Sequence, residues 1–161
     1  MRFVGSWASQ GSLSFVHLEP EVLETFHEFV QGVRDLEAGG ILLGCVRGPH
    51  LQIIEATTPS PRDRRSRFSF ERDDFHHHAI AMRRWQESDG IIRYIGEWHT
   101  HPEDYPSPSS IDLREWRALA ASRIDGRPLL ALIVGRKGLH LEFMSGSGKR
   151  VRLCEGSTSL E

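Results

Sequence analysis

The sequence has few cysteines, no long apolar run and no excess of positive charge, and each absence excludes a class of protein. Its two cysteines, Cys45 and Cys154, form no CxxC pair, which excludes a disulfide framework and a four-sulfur zinc site. The longest aliphatic run, 129–134, is too short to cross a bilayer. The formal charge of −2 creates no field that would gather nucleic-acid phosphates. We therefore expect neither a membrane protein nor a nucleic-acid-binding protein.

Length and composition fit one globular domain. The chain has 161 residues, of which 39% are apolar and 26% are charged, and this is enough to bury a core. Without a visible repeat or a long linker, we expect a single domain over 1–161, with its core at about 13–144 and a flexible polar tail at 145–161. Residues 1–10 lack a basic stretch followed by an apolar run, so no secretory signal is predicted. A reducing cytoplasm is the expected compartment.

The apolar pattern predicts strands and helices in an irregular order. Helices are predicted where apolar residues recur at helical spacing, at 21–31, 75–87 and 109–122. Strands are predicted where short apolar runs lie between turn signals, at 11–18, 41–46, 51–56, 91–98, 129–134 and 139–144. This order favours an α+β fold, with a mixed β-sheet flanked by helices, over a doubly wound parallel fold.

Two histidines and a downstream aspartate form the most informative pattern. His99 and His101 end a predicted strand, and residues two apart on an extended chain point to the same face. The loop 102–108 contains three prolines and lets the chain turn back, so that Asp112 lies in the first turn of the next helix. Two imidazoles and one carboxylate suit zinc with an open fourth position, which is typical of a catalytic zinc site.

Each part of this pattern also has a purely structural explanation. A His-x-His pair on a strand can consist of two surface residues. Ser109 and Asp112 form a helix start signal, in which the serine oxygen accepts a hydrogen bond from an unpaired backbone N–H. The two explanations are compatible, because a helix cap would fix both side chains in place. The joint spacing, His-x-His followed by seven residues and Ser-x-x-Asp, favours the functional interpretation.

This spacing resembles the signature of the JAMM (JAB/MPN) metalloproteases, which cleave isopeptide or peptide bonds after the C-termini of ubiquitin-like proteins. The family also carries a glutamate just before a glycine-containing strand, and Glu37, followed by Gly39 and Gly40, fits that pattern. The resemblance covers roughly 13–144 and implies a single-domain JAB/MPN-like fold. Thr100 stands where many members carry serine. The short loops are typical of a bacterial stand-alone member.

The resemblance implies a role for each residue of the motif. His99, His101 and Asp112 would hold Zn²⁺, whose bound water is acidified to a pKa of about 7. Glu37 would act as a general base and then as a general acid, and Ser109 would donate a hydrogen bond to the tetrahedral oxyanion. As a helix-terminal acid, Glu37 would have no such role.

The implied activity is that of a zinc-dependent isopeptidase or peptidase acting after the C-terminus of a ubiquitin-like protein. Residues 64–74 and 96–103 resemble a bacterial subgroup whose operons encode ubiquitin-activating and conjugating-like enzymes, including antiphage systems, so these enzymes are expected partners. Two alternatives stay open. One is a peptidase that trims a sulfur-carrier protein in cysteine or cofactor biosynthesis. The other is a non-catalytic MPN-type scaffold, although scaffold members typically lose the metal ligands.

The arginine cluster at 62–67, the histidines at 76–78 and Glu97 are expected to lie outside the metal-binding motif. The cluster 62–67 contains four arginines and is expected to be a solvated loop, or else a docking surface for an acidic segment or for the C-terminal tail of the substrate. Three consecutive histidines on a helix, 76–78, fan out too far to share one ion, so they are expected to be surface or partly packed residues. Glu97 is expected to be an exposed strand carboxylate, with a partnership to an imidazole as the alternative.

One predicted helix and three tryptophans indicate where aromatic side chains lie. The helix predicted at 75–87 places its larger apolar residues on one side, namely Phe75, Ala79, Met82 and Trp85. Trp85, Trp98 and Trp116 are expected to be core residues or pocket walls, and the last two would shield the metal.

Overall fold

The computed structural model describes residues 3–156, and a closed barrel of eight strands dominates this part of the chain. The strands are β1 (Ser6–Ser9), β2 (Phe15–Leu18), β3 (Gly39–Arg47), β4 (His50–Ala56), β5 (Arg64–Arg65), β6 (Phe70–Glu71), β7 (Arg93–Thr100), β8 (Leu129–Val134), β9 (Leu139–Met144) and β10 (Arg150–Glu155). The helices are α1 (Pro20–Phe29), α2 (Asp74–Glu87) and α3 (Ser110–Ser122), with a short 3-10 turn at Gln10–Ser12. None of the helices in this part of the chain is both long and apolar enough to span a bilayer.

The barrel is a mixed sheet. Its strands follow the order β1-β10-β9-β8-β7-β3-β4-β2, and pairing between β2 and β1 closes the ring. The β2–β4 and β7–β8 pairs are parallel, and the other neighbours in the ring are antiparallel. Strands β5 and β6 form a separate two-stranded ribbon. The predicted α+β class with a mixed sheet is confirmed, and the closure of the sheet is an additional feature of the structure.

Strand β8 is apolar throughout because both of its faces are covered. Leu130, Leu132 and Val134 belong to the core inside the barrel. The alternate residues pack outside the barrel with Trp116 and Ala120 of α3, and these are Leu129, Ala131 and Ile133. A strand covered on both faces reads as a continuous apolar run, which is why its bounds match the prediction.

Strand β7 carries the two histidines and lies between β3 and β8. His99 is opposite Gly39 of β3 and Ile133 of β8. A side chain at Gly96 would overlap the carbonyl oxygen of Leu130, so glycine is required where β7 approaches β8. The next elements, a proline-containing loop and α3, return the chain to the end of β7.

The two ends of the chain differ from the sequence-based prediction. Strands β1 and β10 were not predicted, and residues 150–155 were assigned to a flexible tail. That assignment is wrong, because β10 pairs with β9 on one side and with β1 on the other. Arg150 also donates to the buried carboxylate of Glu142 at 2.7 Å. The last part of the predicted tail, 157–161, lies outside the described residues.

Helix α2 also corrects the prediction. Its apolar side faces solvent, with Phe75 73% and Trp85 51% exposed, and Ala79 and Met82 exposed between them. Trp85 is therefore not a core residue, but it lines a groove, which is the other position expected for it. His77, which was expected to be a surface or partly packed residue, is the buried residue of the helix with 0% exposure. Trp98 and Trp116 are buried as expected.

Candidate metal centre

The structure brings the three predicted metal ligands together. His99 and His101 extend from the end of β7, and Asp112 lies in the first turn of α3. The Nε2 atoms of the two histidines are 3.0 Å apart, and they lie 3.3 Å and 3.2 Å from the two carboxylate oxygens of Asp112. Ligand atoms of all three residues fall within 4.8 Å of one another. These residues therefore form a group that can hold a metal ion.

A capping box fixes the carboxylate of Asp112. The Ser109 hydroxyl oxygen accepts a hydrogen bond from the Asp112 backbone N–H at 3.1 Å, and the Ser109 backbone N–H donates to Asp112 Oδ2 at 2.9 Å. This is the helix start signal expected from the sequence. The structural and functional explanations of the motif thus coexist, because the cap orients the same carboxylate that faces the histidines.

The outer nitrogen of His101 has a carboxylate partner. Nδ1 of His101 donates to Glu103 Oε1 at 2.9 Å, which leaves the lone pair of Nε2 directed at the cluster in the neutral ring. On the other side, the ring centroid of Trp116 lies 6.1 Å from that of His99 and covers it. Glu103 was missed in the sequence, although a carboxylate next to a candidate ligand is a usual partner of metal-binding histidine.

Glu37 lies directly opposite His101. Its side chain is buried, and Oε1 is 3.7 Å from Nε2 of His101. The residue is held through its backbone by the arginine-rich segment: its N–H donates to Ser66 O at 2.7 Å, and its carbonyl accepts from Arg65 Nε at 2.8 Å. The four arginines of this segment are exposed, as expected, but Arg64 and Arg65 belong to strand β5 and not to a loop.

A buried amide connects the Glu37 segment to the histidine strand. Gln31 accepts a hydrogen bond from the Thr100 hydroxyl at 3.0 Å and donates to the carbonyl of Arg67 at 2.8 Å. The Thr100 hydroxyl in turn accepts from the backbone N–H of Ala38 at 2.9 Å. Thr100 points away from the three candidate metal ligands, and through these bonds it fixes Ala38, the residue next to Glu37. Polar side chains of this kind give no periodic signal in a sequence, and Gln31 was missed.

Burial and neighbouring charges shift the pKa values of the site. Burial raises the pKa of Glu37 to about 7, although the nearby His101 opposes the shift. Burial alone would raise the pKa of Asp112. Hydrogen bonds from His101, His99 and the Ser109 backbone outweigh this effect and hold the pKa well below its usual range. Burial alone would lower the pKa of His101, but the hydrogen bonds to Asp112 and Glu103 outweigh this effect, so the pKa is raised.

A cleft of about 370 Å³ opens over the cluster, and we call it the α3 cleft. One wall is formed by Phe68, in the turn between β5 and β6, and by Phe70 of β6, and another wall is α3, which includes Ile111 and Leu119. Glu37 and the metal-binding group lie along its floor, where His99, Ser109 and Asp112 are found. The group of candidate ligands is therefore open to solvent through this cleft.

Glu97 corrects the sequence-based expectation, because it is buried and paired. Arg72 donates to both of its oxygens, with Nε at 2.9 and 3.0 Å, and the Tyr94 hydroxyl donates at 2.8 Å. Arg72 also pairs with Asp74 at the start of α2. Burial raises the pKa of Glu97 in spite of Arg72. The carboxylate is therefore a partner of arginine, and it fixes one wall of the α3 cleft.

His77 is buried because it links α2 to the loop before it. Its Nε2 lies 3.1 Å from Asp63 Oδ2, and its Nδ1 lies 2.7 Å from the Thr57 hydroxyl, which also accepts from the Ile41 backbone N–H at 2.9 Å. Burial lowers the pKa of His77 although Asp63 opposes this, and the ring is neutral, with Nε2–H donating to Asp63. The interaction anchors the segment that holds Glu37.

Comparisons with known proteins identify the family of this chain. A family model described as prokaryotic homologs of the JAB domain matches residues 19–147. A protein of Pseudomonas aeruginosa named "CD-NTase/cGAS isopeptidase" is 51% identical over 150 residues, which are 92% of this chain and 95% of that protein. An Escherichia coli protein of the same name is 40% identical over 116 residues, which are 72% of this chain and 69% of that protein.

A solved structure shares the fold at lower identity. The solution structure of protein DSY2949 from Desulfitobacterium hafniense has a TM-score of 0.61 and 19% identity, and the match covers 87% of this chain and 90% of that one.

The fold and the relatives' names identify a hydrolase, and the group of His99, His101 and Asp112 is consistent with a bound metal ion. Within that class, the chain belongs to the prokaryotic homologs of the JAB domain, whose family model matches most of its length. The predicted bacterial JAB/JAMM membership, the fold and the hydrolase class are confirmed.

Proposed function

We propose that this protein is a zinc-dependent isopeptidase that hydrolyses the amide bond joining the C-terminus of a modifier protein to a lysine of its target. The observation that carries the proposal is the convergence of His99, His101 and Asp112 beside Glu37. The relatives named CD-NTase/cGAS isopeptidase support the type of reaction.

Zinc is the proposed metal because the donor set fits it. Two imidazole nitrogens and one carboxylate oxygen are typical ligands of catalytic zinc, and a three-residue set leaves a position for water or substrate. When bound, Zn²⁺ supplies Lewis acidity that polarises a carbonyl and acidifies water. In this chain His99, His101 and Asp112 would hold the ion, and Glu103 would keep His101 in the required tautomer.

Glu37 is the proposed proton carrier. Its carboxylate would accept a proton from the attacking water and deliver it to the lysine nitrogen as the amide bond breaks. Burial supports this role, because in the metal-free chain it raises the pKa of Glu37 to about 7 and so makes the carboxylate a better proton acceptor. The backbone bonds from Ser66 and Arg65 would hold the carboxylate in position during both transfers.

Ser109 is the proposed donor to the oxyanion. Its hydroxyl oxygen accepts from the Asp112 N–H, and within residues 3–156 its own hydrogen has no acceptor. The hydroxyl hydrogen can therefore bond to the negative oxygen that develops on the substrate carbonyl. Because the helix cap fixes Ser109, little reorganisation is needed for this bond.

The proposed substrate is a conjugate in which a CD-NTase, the enzyme class in the relatives' names, is the modifier protein joined through its C-terminus. Ubiquitin-activating and conjugating-like enzymes from the same operon would form such a conjugate, and they are the proposed partners. We place the reaction in the cytoplasm, which suits a chain with the free cysteines Cys45 and Cys154.

A fusion-cleavage assay tests the proposal. The zinc-loaded protein is incubated with fusions in which a CD-NTase, a ubiquitin-like protein or a sulfur-carrier protein continues through its C-terminus into a reporter. We expect release of the reporter from the CD-NTase fusion, inhibition by EDTA and recovery on adding zinc. Release from the sulfur-carrier fusion alone would favour the alternative peptidase, and no release from any fusion would contradict the proposal.

A further inference from the structure

A second groove lies between α2 and α3 and continues from the α3 cleft. It encloses about 500 Å³, and Trp85 of α2 and Ile124 after α3 stand at its sides. Arg72 and Leu119 line both the α3 cleft and this α2–α3 groove, so the two form one path along α3. A helix of this length spans about 20 Å, which is enough for six extended residues leading away from the cluster.

Arg93 is the distinctive polar group of the α2–α3 groove. Its Nε atom is buried and finds no hydrogen-bond partner within the described residues. The neighbouring arginines are satisfied, since Arg72 bonds to Glu97, and Arg123 bonds to Asp125 and the carbonyl oxygens of Tyr94 and Ile95. A buried N–H without an acceptor destabilises the free protein. Arg93 also lines the groove, so a carboxylate in the groove can pair with its guanidinium and place a negative charge beside the buried Nε.

The apolar side of α2 adjoins this group. Phe75, Met82 and Trp85 follow one another at helical spacing and are exposed, which is unusual for large apolar side chains on one face. His78 of the same helix lines the groove together with Trp85. Exposed aromatic residues beside Arg93, whose Nε has no partner within the described residues, are typical of a protein-binding surface.

We propose that the α2–α3 groove binds a segment of the substrate protein in which a carboxylate side chain lies beside an apolar side chain. The carboxylate pairs with Arg93, and the apolar side chain packs against Trp85. The inference rests on the proposed function, because it places this segment on the path that leads to the candidate metal centre. It assigns to Arg93 and Trp85 a role in selecting the substrate.

The binding test uses a form of the protein that holds substrate without turnover. Zinc-loaded Glu37→Gln protein is titrated with the CD-NTase–reporter fusion, alone and combined with Arg93→Met, Arg93→Lys or Trp85→Ala. We expect Arg93→Met and Trp85→Ala to raise the Kd about tenfold, and Arg93→Lys to recover part of the affinity because it keeps the charge. Arg152→Met, which removes an exposed arginine from β10, is the matched control and should leave the Kd unchanged.

Salt separates the two contacts. Raising the NaCl concentration should weaken binding by the parent protein more than binding by the Arg93→Met variant, because the variant lacks the ion pair. An Arg93→Met protein that binds the fusion with the parent's affinity would overturn the inference.

The thermal stability of the free protein gives a test that does not depend on the substrate. Because Nε of Arg93 is buried without an acceptor, Arg93→Met should raise the Tm of the ligand-free protein by about 3 °C. An unchanged or lower Tm would mean that Arg93 serves the fold, and would overturn the inference. If wild-type protein neither binds nor cleaves any fusion, the proposed function fails, and this measurement alone decides the role of Arg93.

Discussion

The carboxylate of Glu37 faces His101 across the candidate metal centre, with Oε1 3.7 Å from Nε2. Changing Glu37 to Gln keeps the size of the side chain but removes its ability to accept a proton. We expect turnover of the cleaved fusion to fall by about 10²–10⁴, while zinc content stays at the wild-type value. Single-turnover kinetics and elemental analysis of the same sample check both parts, and a Glu37→Gln protein with full turnover would refute the assigned base.

Ser109 has two roles that substitutions can separate. Ser109→Ala removes both the cap and the proposed oxyanion donor, so we expect a stability loss of about 1 kcal/mol and a turnover loss of about 10²–10³. Ser109→Asp keeps a cap acceptor but has no hydrogen to donate, and should lose turnover while keeping stability. Ser109→Thr keeps both functions and serves as the control. Equal turnover in the Asp and Thr variants would exclude an oxyanion role.

His77 makes the stability of the fold depend on pH. Its pKa is lowered in the folded protein, so below the ordinary histidine pKa of about 6.5 the unfolded chain binds the extra proton and the folded state loses stability. His77→Gln has no such group. We expect the variant to be less stable than wild type at pH 7.5, and the difference in unfolding free energy to shrink at pH 5. Chemical denaturation at both pH values measures this, and a difference that stays constant or grows would contradict a neutral buried ring.

Buried pairing makes Glu97 a structural residue. Glu97→Gln leaves Arg72 without its main carboxylate partner, although Asp74 still pairs with it. We expect a loss of about 2 kcal/mol, below the roughly 3–5 kcal/mol of a fully broken buried pair. Replacing both residues, as Arg72→Met with Glu97→Leu, should recover most of the stability. A double variant no more stable than Glu97→Gln would show that the pair is not the reason for the loss.

Local sequence signals predicted the elements that are covered on both faces or capped. Strand β8 is a continuous apolar run because the barrel interior covers one of its faces and α3 covers the other. Helix α3 begins at a cap that the spacing of Ser109 and Asp112 predicts. The motif likewise placed His99 and His101 on one face of a strand. These features depend on neighbours within a few residues, which is the range over which a sequence pattern is informative.

Features that depend on distant partners were missed. Strand β10 alternates Val151 and Leu153 with charged residues, a period-2 signal that is visible but was outweighed by its polar flanks. Helical periodicity gave the correct side for Phe75 and Trp85, but periodicity alone cannot say whether another element covers that side. The burial of His77 depends on Asp63 and Thr57, and no local pattern predicts that contact.

The central claim is that His99, His101 and Asp112 bind one metal ion. The most direct test loads the purified protein with zinc, removes free zinc by dialysis and measures the retained metal by elemental analysis. We expect about one zinc per chain in the wild type, and background levels in His99→Ala and Asp112→Ala variants that keep the wild-type circular dichroism spectrum. A correctly folded wild-type chain that retains no stoichiometric metal would contradict the account.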